Sequence, residues 1–128
     1  MTVDILIVDD DREFGEFVKH AAESVDLSAE LLLEPRGFEE AFLSLQPRIV
    51  ILDLEMPNID GAEISQWLGK RVRDTKQDCR LIIVSGQSVE KIAIAKAVAE
   101  LSGLERVAGL SKPVTLATLE LELAGGVD

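Results

Sequence analysis

Short apolar runs alternate along this chain with longer stretches in which apolar residues recur every third or fourth position. The clearest runs are residues 3–8 (VDILIV), 48–54 (RIVILDL) and 80–84 (RLIIV), with weaker ones at 30–34 (ELLLE) and 106–110 (RVAGL). Ile, Val and Leu in near-continuous runs of this length predict parallel strands covered on both faces. Gly109 weakens the strand character of the last run. Between the runs, Phe14, Phe17, Val18, Ala21, Ala22 and Val25 share one helical face, and Asp10 followed by Glu13 predicts a capping box at its start. Phe38, Ala41, Phe42 and Leu45 form a shorter stripe that Pro47 stops. Ile64, Trp67, Leu68 and Val72 line a third helix opening near Asp60 and Gly61, with Trp67 as a packing residue. Ser88 predicts the cap of a fourth helix, which runs to about Leu101 and ends at Gly103. Leu116, Leu119 and Leu123 line a final helix over 115–124, and Leu121 falls off that face.

Strand and helix therefore alternate five times, which predicts an α/β fold: a doubly wound, five-stranded parallel sheet with helices on both faces and right-handed crossovers. With 128 residues and no internal linker, the chain reads as one domain over residues 1–124, with 125–128 a frayed terminus or the start of a linker. The hydrophobic fraction of 47% supports a real core and excludes intrinsic disorder. A net charge of -11 argues against a general binder of nucleic-acid phosphates or a polybasic membrane module. The single cysteine, Cys79, excludes an internal disulfide framework. The first residues have no signal-peptide pattern, and no apolar run approaches the roughly 20 residues of a membrane span. A cytoplasmic protein is the expectation.

In an open parallel sheet, chemistry lies beyond the carboxyl ends of the strands. Here the first strand ends in Asp9 and Asp10, the third carries Asp53, the fourth ends in Ser85, and Lys112-Pro113 follows the fifth. Asp11 is expected to turn away from this group. Converging Asp9, Asp10 and Asp53 would repel one another unless a cation sat among them, and hard oxygen ligands suit Mg²⁺. Such a set allows one carboxylate to act as nucleophile toward phosphorus, with Lys112 and the Ser85 hydroxyl facing the phosphoryl oxygens. Taken singly, acidic strand ends, Ser-Gly and Lys-Pro are ordinary features of wet loops. Their order, each just after a strand, carries the weight, as does Asp53 in an otherwise apolar strand.

With ILIVDDD, ILDLEMPNIDG, IIVSG and LSKPV in place, the chain resembles the receiver domain of two-component response regulators over essentially its whole length. The resemblance implies a CheY-like sheet of order 2-1-3-4-5. It makes Asp53 the phospho-acceptor, places Mg²⁺ on Asp9, Asp10, Asp53 and the backbone carbonyl of Glu55, and assigns Ser85 and Lys112 to the transfer. It also implies a cis Lys112-Pro113 bond. By the same alignment Glu55 and Gln87 flank the incoming water and modulate the lifetime of the phosphoryl group. The implied partners are a sensor histidine kinase or phosphotransfer protein. An output domain, a partner protein or a second copy would use the face of the fourth helix, fifth strand and fifth helix.

One departure stands out. Gly109 occupies the place where the family usually carries an aromatic switch residue, and the chain has no tyrosine. The segment VAGLSKPVTLATLELEL weakly resembles receivers joined to cyclic-dinucleotide phosphodiesterase domains. Two competing readings stay open at this point. One is a phosphorylation-independent interaction module on the same fold. The other is a small phosphohydrolase using Asp53, which the position of His20 in the middle of the first helix disfavours.

Overall fold

The aliphatic runs form β1 (Ile5–Val8), β2 (Ala29–Leu32), β3 (Ile49–Asp53), β4 (Arg80–Ser85) and β5 (Val107–Ser111). They pair in parallel in the order 2-1-3-4-5. The computed structural model describes residues 2–56, 61–86 and 88–125. β1, β3 and β4 are buried along their whole length, and the edge strand β2 is half-buried throughout. Just before β1, the Asp4 side chain turns to Ser28 and Arg48, accepting from the Ser28 backbone N–H at 2.8 Å. That backbone hydrogen bond, the largest of several effects, holds the Asp4 carboxyl below its ordinary range.

Strand alternation sorts the core into two layers. Leu6, Val8, Val50, Leu52, Leu81 and Ile83 face α2 (Phe38–Leu45), α3 (Gly61–Thr75) and α4 (Val89–Ser102). Ile5, Ile7, Ile49, Ile51, Ile82 and Val84 face α1 (Arg12–Ser24) and α5 (Leu116–Leu123). Trp67 packs edge-on against Phe38 and Phe42, with ring centroids 5.6 and 5.5 Å away. Ser88 caps α4 as its sequence predicts, and Gly103 ends it. Asp60, expected near the start of α3, lies outside the described residues.

The capping box of α1 is corrected. Asp11, not Asp10, is the N-cap, accepting from the backbone N–H groups of Glu13 and Phe14 at 3.0 and 3.3 Å. The shift by one residue leaves Asp10 at the end of the sheet with Asp9. On the other side of the molecule, Gly109 lacks a side chain for a definite reason: a Cβ there would run into Ile92 of α4. α4 also carries Val89, Ile94 and Leu101 exposed, so its apolar residues extend well past its buried stripe of Ile92, Ala95 and Ala99.

Two further fixtures hold helices in place. Arg80, buried at the start of β4, donates to the Glu122 carboxylate at 3.2 Å and to the carbonyls of Glu122 and Leu123, closing the last turn of α5. α3 and α4 meet through small residues: a Cβ on Gly69 would lie 2.6 Å from Ser102 Cβ and 3.2 Å from the Ala99 carbonyl oxygen. Gly103 has φ +131, and its own Cβ would meet the Gly69 carbonyl oxygen at 2.6 Å. Gly69→Ala is therefore expected to destabilise the fold by about 1–3 kcal/mol through overpacking. Adding Ser102→Gly should restore part of that loss, and urea denaturation of the double-mutant cycle measures the coupling.

Candidate functional site

Asp9 follows β1, Asp53 closes β3, Ser85 closes β4 and Lys112 follows β5. Parallel register carries all of these to one edge of the sheet, because every strand points its carboxyl end the same way. Asp9, Asp53 and Ser85 are buried there, whereas Asp10 is exposed at the rim. Ligand oxygens of Asp9, Asp10 and Asp53 lie within 4.8 Å of one another. Lys112 reaches into the group from the side, with Nζ 3.1 Å from Asp9 Oδ2 and 3.8 Å from Asp53 Oδ1. The Lys112-Pro113 peptide is cis.

The two buried carboxylates are each oriented by a backbone N–H. The Asp11 N–H donates to Asp9 Oδ1 at 2.9 Å and the Glu55 N–H to Asp53 Oδ1 at 3.0 Å. Asp11 itself turns to α1, as its position predicts. The Lys112 N–H donates to the Ser85 carbonyl at 2.8 Å, tying the end of β4 to the residue that carries the ammonium.

Burial dominates the electrostatics of Asp53. Desolvation raises its pKa to about 6; the Glu55 N–H opposes the rise, the Asp9 charge adds to it, and Lys112 opposes it. Three carboxylates against one ammonium leave a net charge of two negatives within a few ångströms, which is the deficit a divalent cation meets. The donor set is all oxygen, as Mg²⁺ requires, and the residues present fit it.

Glu55, which the resemblance gave a backbone carbonyl toward metal and a side chain beside the incoming water, has side-chain partners that the sequence did not indicate. Its side chain crosses to the end of β4, where Oε1 accepts from the Ser85 hydroxyl at 3.0 Å and from the Gly86 N–H. Gly86 has room for this contact because a Cβ there would lie 3.1 Å from that same oxygen. Gln87 lies outside the described residues. Phe14 joins the site without having been read as part of it, its ring centroid 4.3 Å from Lys112 Nζ. His20 is exposed on α1. Cys79 is buried and free, its thiol pushed up to about 12 by desolvation.

A 2-1-3-4-5 parallel sheet with an acidic cluster, a hydroxyl and a lysine at its carboxyl edge is the class of module that two-component signalling uses as a receiver. The family model of the response regulator receiver domain matches residues 5–124, and the chain belongs to that family. Among curated proteins, the response regulator MprA of Mycolicibacterium vanbaalenii is 32% identical over 110 residues, covering 86% of this chain and 40% of that protein. MprA of Mycobacterium bovis is 30% identical over the same span and coverage. The chain thus spans about 40% of the length of these relatives. A response regulator from Colwellia psychrerythraea aligns with TM-score 0.72 and 30% identity, covering 97% of this chain and 95% of that one. The fold is shared with chemotaxis protein CheY4 of Vibrio cholerae, at TM-score 0.76 and 22% identity over 99% of this chain and 100% of that one. No helix among the described residues is long and apolar enough to cross a membrane.

The raised pKa of Asp53 has a signed consequence for stability. Unfolded, the carboxyl ionises near 3.8; folded, it ionises near 6. Below both values the penalty is absent, it grows as pH rises from about 4 to about 6, and it is constant above. In metal-free buffer, Asp53→Asn should raise stability at neutral pH by about 1–2 kcal/mol, discounted for solvent at the mouth of the site. Urea titrations from pH 4 to 8 should show the gap between variant and parent closing toward the acid end.

Proposed function

We propose that this chain is a phospho-accepting receiver in which Asp53 takes a phosphoryl group from a histidine kinase or phosphotransfer protein with Mg²⁺ present. The observation that carries the reading is the convergence of Asp9, Asp10 and Asp53 within 4.8 Å, with the Lys112 ammonium against two of them. An Asp53 carboxylate oxygen forms the new O–P bond as the P–N bond of a phosphohistidine breaks, and the leaving imidazole keeps its electron pair and takes up a proton. Asp9, Asp10, Asp53 and the Glu55 carbonyl would hold Mg²⁺. The bound ion neutralises phosphoryl oxygens and lets the acidic group accept a further anion. Lys112 meets a phosphoryl oxygen with its ammonium, and the Ser85 hydroxyl donates to another once its bond to Glu55 is exchanged.

The reading as a cytoplasmic receiver domain over residues 1–124 belongs to the same proposal. The output surface is the face of α4, β5 and α5, where Val89, Ile94, Leu101 and Leu121 are exposed. An attached domain, a partner or a second copy would dock there. Transmission cannot follow an aromatic switch on β5, since Ile92 fills the space over Gly109. A phosphorylation-independent module gains support from Gly109 alone, and the assembled cluster with its buried Asp53 favours the acceptor.

Acetyl phosphate and Mg²⁺ should label the chain with one phosphoryl group, seen by intact mass spectrometry. Labelling should vanish in Asp53→Asn and on chelation, and Lys112→Ala should slow it by about a hundredfold. Persistent labelling of Asp53→Asn would move the chemistry elsewhere. Glu55→Ala, by removing a competitor for Ser85 and Gly86, should raise the labelled fraction at limiting donor by about two- to fivefold. The same mass assay quantifies it.

A further inference from the structure

The Lys112 ammonium sits between unlike neighbours. On one side is the Asp9 carboxylate, at 3.1 Å; on the other is the face of the Phe14 ring, with 4.3 Å from Nζ to its centroid. We propose that Phe14 is a positioning residue for Lys112: its ring holds the ammonium beside Asp9 and Asp53, ready for an incoming phosphoryl oxygen. This rests on the reading of Asp53 as the phospho-acceptor.

The local structure fixes that ring with some care. The Phe14 N–H donates to Asp11 Oδ1, so the residue that caps α1 also anchors the backbone of Phe14. Gly15 lets α1 settle against β2, since a Cβ there would lie 2.5 Å from Leu31 Cδ2. Phe17, one turn on, leans against Phe14 with centroids 6.0 Å apart. Phe14, Phe17, Pro113 and Val114 line a mostly apolar recess of about 440 Å³ beside Lys112.

Lysine is a flexible point charge on a four-carbon stem, and its alternative to the site is open water. A π-face attracts the ammonium electrostatically and removes water from one side of it, leaving carboxylate and phosphoryl oxygens to complete its shell. If Phe14 merely filled space between α1 and the loop after β5, leucine would serve as well. Attraction through the ring quadrupole instead demands an aromatic residue at this position.

The test uses the full chain with Phe14→Leu and Phe14→Trp, both checked for folding by circular dichroism. In metal-free NMR spectra, the Lys112 Hε protons, assigned with Lys112→Arg, should lie upfield in the parent through the ring current. They should stay displaced in Phe14→Trp and return to the ordinary lysine position in Phe14→Leu. The rate of labelling by acetyl phosphate should fall about five- to tenfold in Phe14→Leu and recover in Phe14→Trp. A leucine variant as fast as the parent, or parent Lys112 protons at the ordinary position, overturns the proposal. Should the parent not accept a phosphoryl group at all, the acceptor reading fails and takes this role with it. The NMR comparison then separately decides whether the ring holds the ammonium.

Discussion

Three carboxylates gathered at one edge of a sheet, two of them buried, form an arrangement that folding should resist. Asp9 and Asp53 lose most of their water, and their mutual repulsion adds to that cost. The arrangement survives because each is given a backbone N–H and because one ammonium reaches both. The remaining deficit of positive charge is not a defect in this account. It keeps the site receptive to a divalent cation and, through it, to an anion that a row of carboxylates alone would repel. Much of the surrounding structure serves that balance: the doubly covered β1, β3 and β4, the Asp11 cap that leaves Asp9 and Asp10 together, and the turn after β5 that delivers Lys112.

The other side of the molecule follows a different logic. Ile92 lies over Gly109, so the space in which an aromatic ring could move on β5 is already filled from α4. At the site itself, Glu55 holds the Ser85 hydroxyl and the Gly86 N–H, the two groups just ahead of α4. Ser88, which caps α4, stands three residues past Ser85, so the contacts of Glu55 lie close in sequence to the start of that helix.

Much of this was legible in the sequence. Uninterrupted aliphatic runs gave the strands, because parallel strands buried on both faces leave no polar alternation to confuse them. The order of acids, hydroxyl and lysine, each just after a strand, located the site. Finer features were hidden for physical reasons. Asp10 and Glu13 have capping-box spacing, yet Asp11 caps the helix, since either aspartate can cap and Asp10 lies in the carboxylate cluster. The side-chain direction of Glu55 depends on the neighbouring strand end, which no local pattern encodes. Phe14 falls on the buried stripe of α1 and so reads as core; that its ring also meets Lys112, almost a hundred residues later, follows only from the fold.

The close seating of Gly69 against Ser102 and Gly103 also bears on mechanics. Backbone and Cβ atoms rather than flexible side-chain ends meet there, so the carboxyl end of α4 is seated closely on α3. The opposite end begins four residues past Ser85, and there Ile92 is seated on Gly109 of β5. Both ends of α4 thus rest on a glycine, Gly109 of β5 at one and Gly69 of α3 at the other. Widening either glycine would push on α4 from a different end, so the two positions offer separate handles on the seating of one helix.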